Sequence, residues 1–143
     1  MKFDISLRLR HPVADLTTMA AKMQRKPEKL WNHGDRNRTI QGELRDGNRA
    51  ESYATFPLGT VMGVDLDEAI AGVLPGIVPA ADVLREFVRT GGIASLAVGW
   101  FVDSETDGAR LHPSLLHELV QLNLTLDLYL YLERSGTAES KQG

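Results

Sequence analysis

The chain has 143 residues, 43% of them apolar, a formal net charge of −3 and no cysteine. That is about one domain's worth of sequence, long enough to bury a core without covalent staples. The missing cysteine excludes disulfides, thiolate metal sites and thiol nucleophiles; no leader peptide and no apolar run of roughly 20 residues is visible, so the expectation is a cytoplasmic chain with no membrane contact.

Phe3, Ile5, Leu7 and Leu9 alternate with Asp4, Ser6, Arg8 and Arg10, the period of a half-buried strand. Pro12 ends it, because proline cannot donate to a ladder. Asp15 is placed to cap a helix that carries Leu16, Met19, Ala20 and Met23 and stops before Pro27.

Residues 27–50 are polar and rich in turn signals, with Trp31 as the large apolar anchor. This stretch reads as a loop that is either functional or poorly ordered. Between Lys22 and Arg49, eight basic residues face four acidic ones, a net of +4 in a chain that is otherwise −7. Such asymmetry can mark a surface for an acidic partner, and a solvated loop gives the same pattern.

Ser52 to Leu58 is a second strand, with Pro57 at an edge or an end. Asp65 and Asp67 introduce a helix through Leu66, Ile70, Val73 and Leu74. Pro75 and Pro79 split it, and Leu84, Phe87 and Val88 carry the stripe on to Gly91-Gly92. Ile93 to Val102 is almost continuously apolar, as a strand covered on both faces must be. Pro113 opens a last helix with Leu115, Leu116, Leu119 and Val120 inward, and Asn123 ends it. Leu124 to Leu132 then alternates leucine with Thr125, Asp127, Tyr129 and Tyr131.

A strand, a His-Pro step and a helix thus occur twice, at His11-Pro12 and His112-Pro113. The order predicts a single α+β domain over residues 1–133, with a flexible tail over 134–143. An antiparallel or mixed sheet of about four or five strands, with helices on one face, fits it as a ferredoxin-like or split β-α-β sandwich. If the leucines face the helices, the opposite face holds Arg8, Arg10, Phe101, Tyr129 and Tyr131. Tyrosine and arginine are favoured in interfaces, although an ordinary outer face has similar chemistry.

No chemical motif is complete. Residues 103–108 begin like a calcium loop, but Ser114 stands where the bidentate glutamate belongs. His112 and His117 are five apart, the wrong spacing for a helical metal pair, and His11 and His112 suit turn hydrogen bonds. His33, Asp35 and Trp31 could form a small polar pocket. No phosphate loop, nucleophile elbow or aromatic RNA signature is present, so no cofactor or metal is expected and nucleic acid is disfavoured.

Ser6-Leu7-Arg8-Leu9-Arg10-His11-Pro12, Trp31-Asn32-His33-Gly34-Asp35, Val98-Gly99-Trp100-Phe101 and Leu128-Tyr129-Leu130-Tyr131 occur in an order that resembles the bacterial domain of unknown function 4279 family, over residues 3–133. The resemblance implies a bacterial, stand-alone α+β protein and transfers no catalytic residue.

The reading is therefore a non-enzymatic module of immunity or accessory type that binds a protein partner or a second copy of itself. Its candidate contacts are Arg8, Arg10, Trp31, His33, Asp35, Phe101, Tyr129 and Tyr131. The alternative is a small-molecule binder or an enzyme with a pocket near Trp31–Asp35, beside Arg8 and Tyr129.

Overall fold

The computed structural model describes residues 1–102 and 108–132. The calcium-like stretch at 103–107 and the tail expected over 134–143 lie outside the described residues.

The elements run β1 (Lys2–His11), α1 (Leu16–Met23), β2 (Lys29–Trp31), β3 (Arg36–Arg38), β4 (Leu44–Asn48), β5 (Ser52–Met62), α2 (Leu66–Val73), α3 (Ala81–Arg89), β6 (Ile93–Val102), α4 (Pro113–Gln121) and β7 (Leu124–Leu132). A five-stranded mixed sheet has the order β2-β5-β1-β6-β7, and β3-β4 form a separate hairpin. The α+β class is as expected.

Both β5 and β6 pair antiparallel with β1. They are therefore parallel to each other with β1 inserted between them, which is a split β-α-β unit. The second unit departs from the ferredoxin-like pattern. β6 and β7 are direct parallel neighbours joined through α4, so β7 ends the sheet instead of inserting into it.

The alternation in β1 sets the two faces. Phe3, Ile5, Leu7 and Leu9 are buried under the helices with Phe56, Leu96, Val98 and Trp100. Burying each large side chain contributes roughly 1.5–3 kcal/mol. Asp15 caps α1 by accepting from the Thr17 and Thr18 amides, and Gln24 leaves the helix in the left-handed region at φ 57°. Pro75 and Pro79 divide the long apolar stretch as expected: two 3₁₀ turns, Leu74–Gly76 and Val78–Ala80, separate α2 from α3.

Two expectations are corrected. Residues 27–50 are not a structureless loop. Lys29–Trp31 adds an edge strand to β5, and residues 36–48 fold into the hairpin. Strands this short show no period in sequence. Val120 and Leu116, expected inward on α4, are exposed. Only Leu115, Leu119 and Leu122 reach the core, because α4 meets one edge of the sheet and needs just a narrow apolar stripe.

Candidate functional site

The strand period that buries leucines leaves a second, helix-free face. It carries Lys2, Asp4, Ser6, Arg8 and Arg10 from β1, Tyr53 and Thr55 from β5, and Lys29 and Trp31 from β2. β6 adds Ser95, Ala97, Gly99 and Phe101, and β7 adds Thr125, Asp127, Tyr129 and Tyr131. The expected company of Arg8, Arg10, Phe101, Tyr129 and Tyr131 is thus assembled, and Trp31 joins it through a strand that its own sequence did not reveal.

Cations on this face stand over aromatic rings. Arg49 lies 3.7 Å from the Trp31 ring centroid. Trp31 packs on Tyr53 at 4.9 Å, and Arg10 covers Tyr53 at 5.6 Å. Glu51 closes that ladder with a 2.8 Å ion pair to Arg10. Further along, Arg8 lies 5.0 Å over Tyr129, and Lys2 lies 4.7 Å over Phe101, which stacks on Tyr131 at 5.1 Å. Each such contact is worth about 0.5–1 kcal/mol when exposed. Together they hold long cationic side chains in fixed positions.

Arg8 and Tyr129 approach from different rows. Arg8 is in register with Ser95, and Tyr129 with Gly99. They meet across the intervening row, where Ala97 is small enough to leave room. The Arg8 Nη1 donates to the Tyr129 hydroxyl at 3.1 Å. Its Nε is buried without a hydrogen-bond partner, and so is the Oγ1 of Thr55, the neighbour of Arg8 in register. Among the described residues Arg8 has no carboxylate partner.

A cavity of about 370 Å³ opens here, lined by Arg8, Tyr129, Tyr131, Phe101, Asp4 and Ser6. Two features shape it. Ser6, Ala97 and Gly99 keep its floor low. Opposite them, Leu58 is the extra residue of a bulge, since Ser6 pairs with Pro57 and Ile5 with Gly59. A bulge bends its strand and curves the sheet locally. A methyl group on Gly99 would come within 3.2 Å of the Tyr131 ring.

The Trp31–Asp35 segment forms a different site. A groove of about 870 Å³ runs between β2 and the hairpin, lined by Trp31, Asp35, Arg36, Arg38, Ile40 and Arg49. Glu28 borders both cavities. His33 lines neither; of the residues expected to share one pocket, Arg8 and Tyr129 border the first cavity and Asp35 the second. Asp35 is a turn residue: its Oδ2 accepts from the Asn32 amide at 2.8 Å. The His33 amide donates to the buried hydroxyl of Ser52 at 2.8 Å, and that hydroxyl donates to the Ala14 carbonyl at 2.6 Å. Asn32 accepts from the Leu16 amide at 2.7 Å and donates to Asp15 and Thr17. Asn32 was visible in sequence only as part of a turn and Ser52 only as a strand start, since the partners of an isolated polar residue leave no period.

His11 has the turn role expected of it. Its Nδ1 accepts from the amides of Val13 and Ala14 at 3.1 and 2.9 Å. That acceptor role places the ring proton on Nε2, 3.0 Å from the Thr90 hydroxyl. His112 caps α4 and shares Asp67 between its amide and its ring. No group of three potential metal ligands occurs among the described residues. No helix among them is long and apolar enough to cross a membrane.

Comparison with protein-family models, with curated proteins and with solved structures finds no match to the chain.

Proposed function

We propose that the chain is a non-enzymatic protein-binding module, of the bacterial domain of unknown function 4279 family, that holds an acidic segment of a partner protein. The segment lies along the helix-free face and against the hairpin. The carrying observation is the set of cations held over rings on one face: Arg49, Arg10, Arg8 and Lys2. Among the described residues Arg8 has no carboxylate partner, which leaves the outer guanidinium nitrogens to meet one. The hairpin extends the same charge. Arg36 and Arg38 give hydrogen bonds to the Arg45 and Gly42 carbonyls, which fix the guanidinium groups without neutralising them. Ile40, fully exposed beside the groove, offers an apolar anchor.

The test is a titration with glutamate-rich and with neutral peptides, followed by Trp31 fluorescence, with Trp31→Phe as the control for buried Trp100. Binding of the acidic peptide that weakens as salt rises supports the reading. Equal binding of both peptides, or none of either, rejects it.

A second reading takes a carboxylate-bearing small molecule into the Arg8 cavity. A guanidinium with no carboxylate partner among the described residues, lining a volume of about 370 Å³, favours it. Such a ligand raises the melting temperature through Arg8 and is indifferent to Ile40 and Trp31, whereas a partner protein engages all three.

A further inference from the structure

Among the described residues β7 is an edge of the sheet, with β6 as its one strand neighbour. Along most sheets such an edge is blunted by proline, lysine, a bulge or a covering loop. The opposite edge here has these devices. β5 carries Pro57 and the Leu58 bulge, and β2 covers its first residues. β7 has none. Nine residues run without proline, glycine or bulge, and Asp127 is their one charged side chain.

The apolar residues of its second half are open to solvent on both faces. Leu128, Tyr129, Leu130, Tyr131 and Leu132 are 40–66% exposed, with Leu130 the most open. The expectation that all the leucines pack beneath helices holds only at the beginning of the strand. Leu124 is buried and Leu126 half-buried, while the later leucines lie on the helix side of the strand and are only partly covered by the described residues. On the adjoining α4, Val120 and Leu116 are also exposed.

We infer that a second copy of the chain covers this edge, pairing antiparallel with β7 to make one ten-stranded sheet. The strand is complementary to itself. A twofold axis normal to the sheet at Leu130 sets Leu128 against Leu132 and Tyr129 against Tyr131 of the other copy. Leucine meets leucine on one face and tyrosine meets tyrosine on the other, as an isologous interface requires. Asp127 falls outside the five paired positions. The exposed parts of these five side chains, with Leu116 and Val120, offer on the order of 600 Å² per copy, close to the ~800 Å² per partner of a standard interface. The ladder would add main-chain hydrogen bonds along an edge that β6 leaves half used.

This pairing stands apart from the acidic-partner reading. If both hold, the two Arg8 side chains lie on one continuous face, separated by five strand spacings (~24 Å) across the sheet and by ten residues (~33 Å) along it, about 40 Å in all. The module would then be bivalent.

Sedimentation equilibrium of the full chain tests it. A dimer is expected to accumulate as concentration rises through the micromolar range. Leu130→Lys is expected to weaken it at least tenfold, and Val120→Glu to weaken it less. Both positions are exposed, so a melting temperature equal to the parent chain's at dilutions where both are monomeric will show that the fold is intact. Leu130→Cys, in a chain that has no other cysteine, is expected to cross-link on mild oxidation, and Ile40→Cys is not. A chain that stays monomeric at ~100 µM, a range in which far weaker contacts than a standard interface would register, overturns the inference, whether residues 133–143 or another protein's strand then cover the edge. So does a dimer that survives Leu130→Lys but is lost in Tyr53→Ala, which would place the contact on the sheet face. Loss of peptide binding with the dimer intact rejects only the acidic-partner reading.

Discussion

Arg8 and Tyr129, 121 residues apart in the chain, share a 3.1 Å hydrogen bond across the helix-free face, and the guanidinium also covers the phenol ring. Tyr129 thereby orients a cation whose inner nitrogen remains unpartnered. Arg8→Gln removes the charge and is expected to weaken binding of a glutamate-rich peptide about tenfold, equivalent to roughly 1.4 kcal/mol. Tyr129→Phe keeps the ring and loses one hydrogen bond, so a smaller loss of about two- to fourfold follows. Isothermal titration at fixed salt checks the order. Equal effects would mean that the hydroxyl itself contacts the ligand.

Ile40 makes no packing contribution that its substitution could remove, since it is fully exposed. Ile40→Asp should change stability by no more than about 0.5 kcal/mol. If the proposed reading holds, it should nonetheless weaken capture of the partner severalfold, because it places a like charge where the proposed acidic segment would dock. A pull-down from the native lysate, paired with a melting curve of the same variant, checks both halves.

His11 and Ser52 hold the join between β1, α1 and the Trp31 turn. His11→Ala leaves the Val13 and Ala14 amides without their acceptor and vacates the space against Phe87. It is expected to cost about 2–3 kcal/mol. His11→Asn should cost less, since an asparagine oxygen can close the same local turn. Ser52→Ala strands the His33 amide and the Ala14 carbonyl at a fully buried position and should cost about 2 kcal/mol. Urea denaturation measures each, and an unchanged slope will show that the denatured state is the same.

Asp15 has an acidity set by its capping role. The Thr17 amide is the largest influence holding its carboxyl below the ordinary value of 3.8, with the Thr18 amide and hydroxyl adding to it. A carboxyl that is more acidic in the folded chain stabilises the fold above its unfolded value. That contribution is lost as pH falls through 3.8 and then through the lower folded value. Asp15→Asn keeps an acceptor at the cap and does not titrate. The melting temperatures of the two chains are therefore expected to converge, or to cross in favour of the variant, between pH 5 and roughly pH 3. A constant difference over that interval would remove the carboxylate from the cap.

Much of the frame was legible because period is a local property. The alternation of Phe3–Arg10 and of Leu124–Leu132 put the arginines on one face of their strand and the tyrosines on one face of theirs, opposite the apolar residues in each case. The Asp15 cap, the break at Pro75 and Pro79, and the turn role of His11 are equally local. The hairpin and β2 were not legible. A strand of three residues cannot display a period, and Lys29–Trp31 is extended only because β5 offers it a ladder. For the same reason Trp31 could be seen as an anchor, but its contacts with Arg49 and Tyr53 could not.

The amino-acid order by itself determined which side chains share a face of each strand and where each helix starts, since both depend on neighbours a few residues away. The tertiary structure alone decided that β7 is an edge, that its last leucines lie open, that Val120 turns outward and that Arg8 reaches Tyr129. Those outcomes depend on which strand lies beside which, and on how far α4 extends over the sheet. They are set by the packing of the whole core and leave no mark on any single segment.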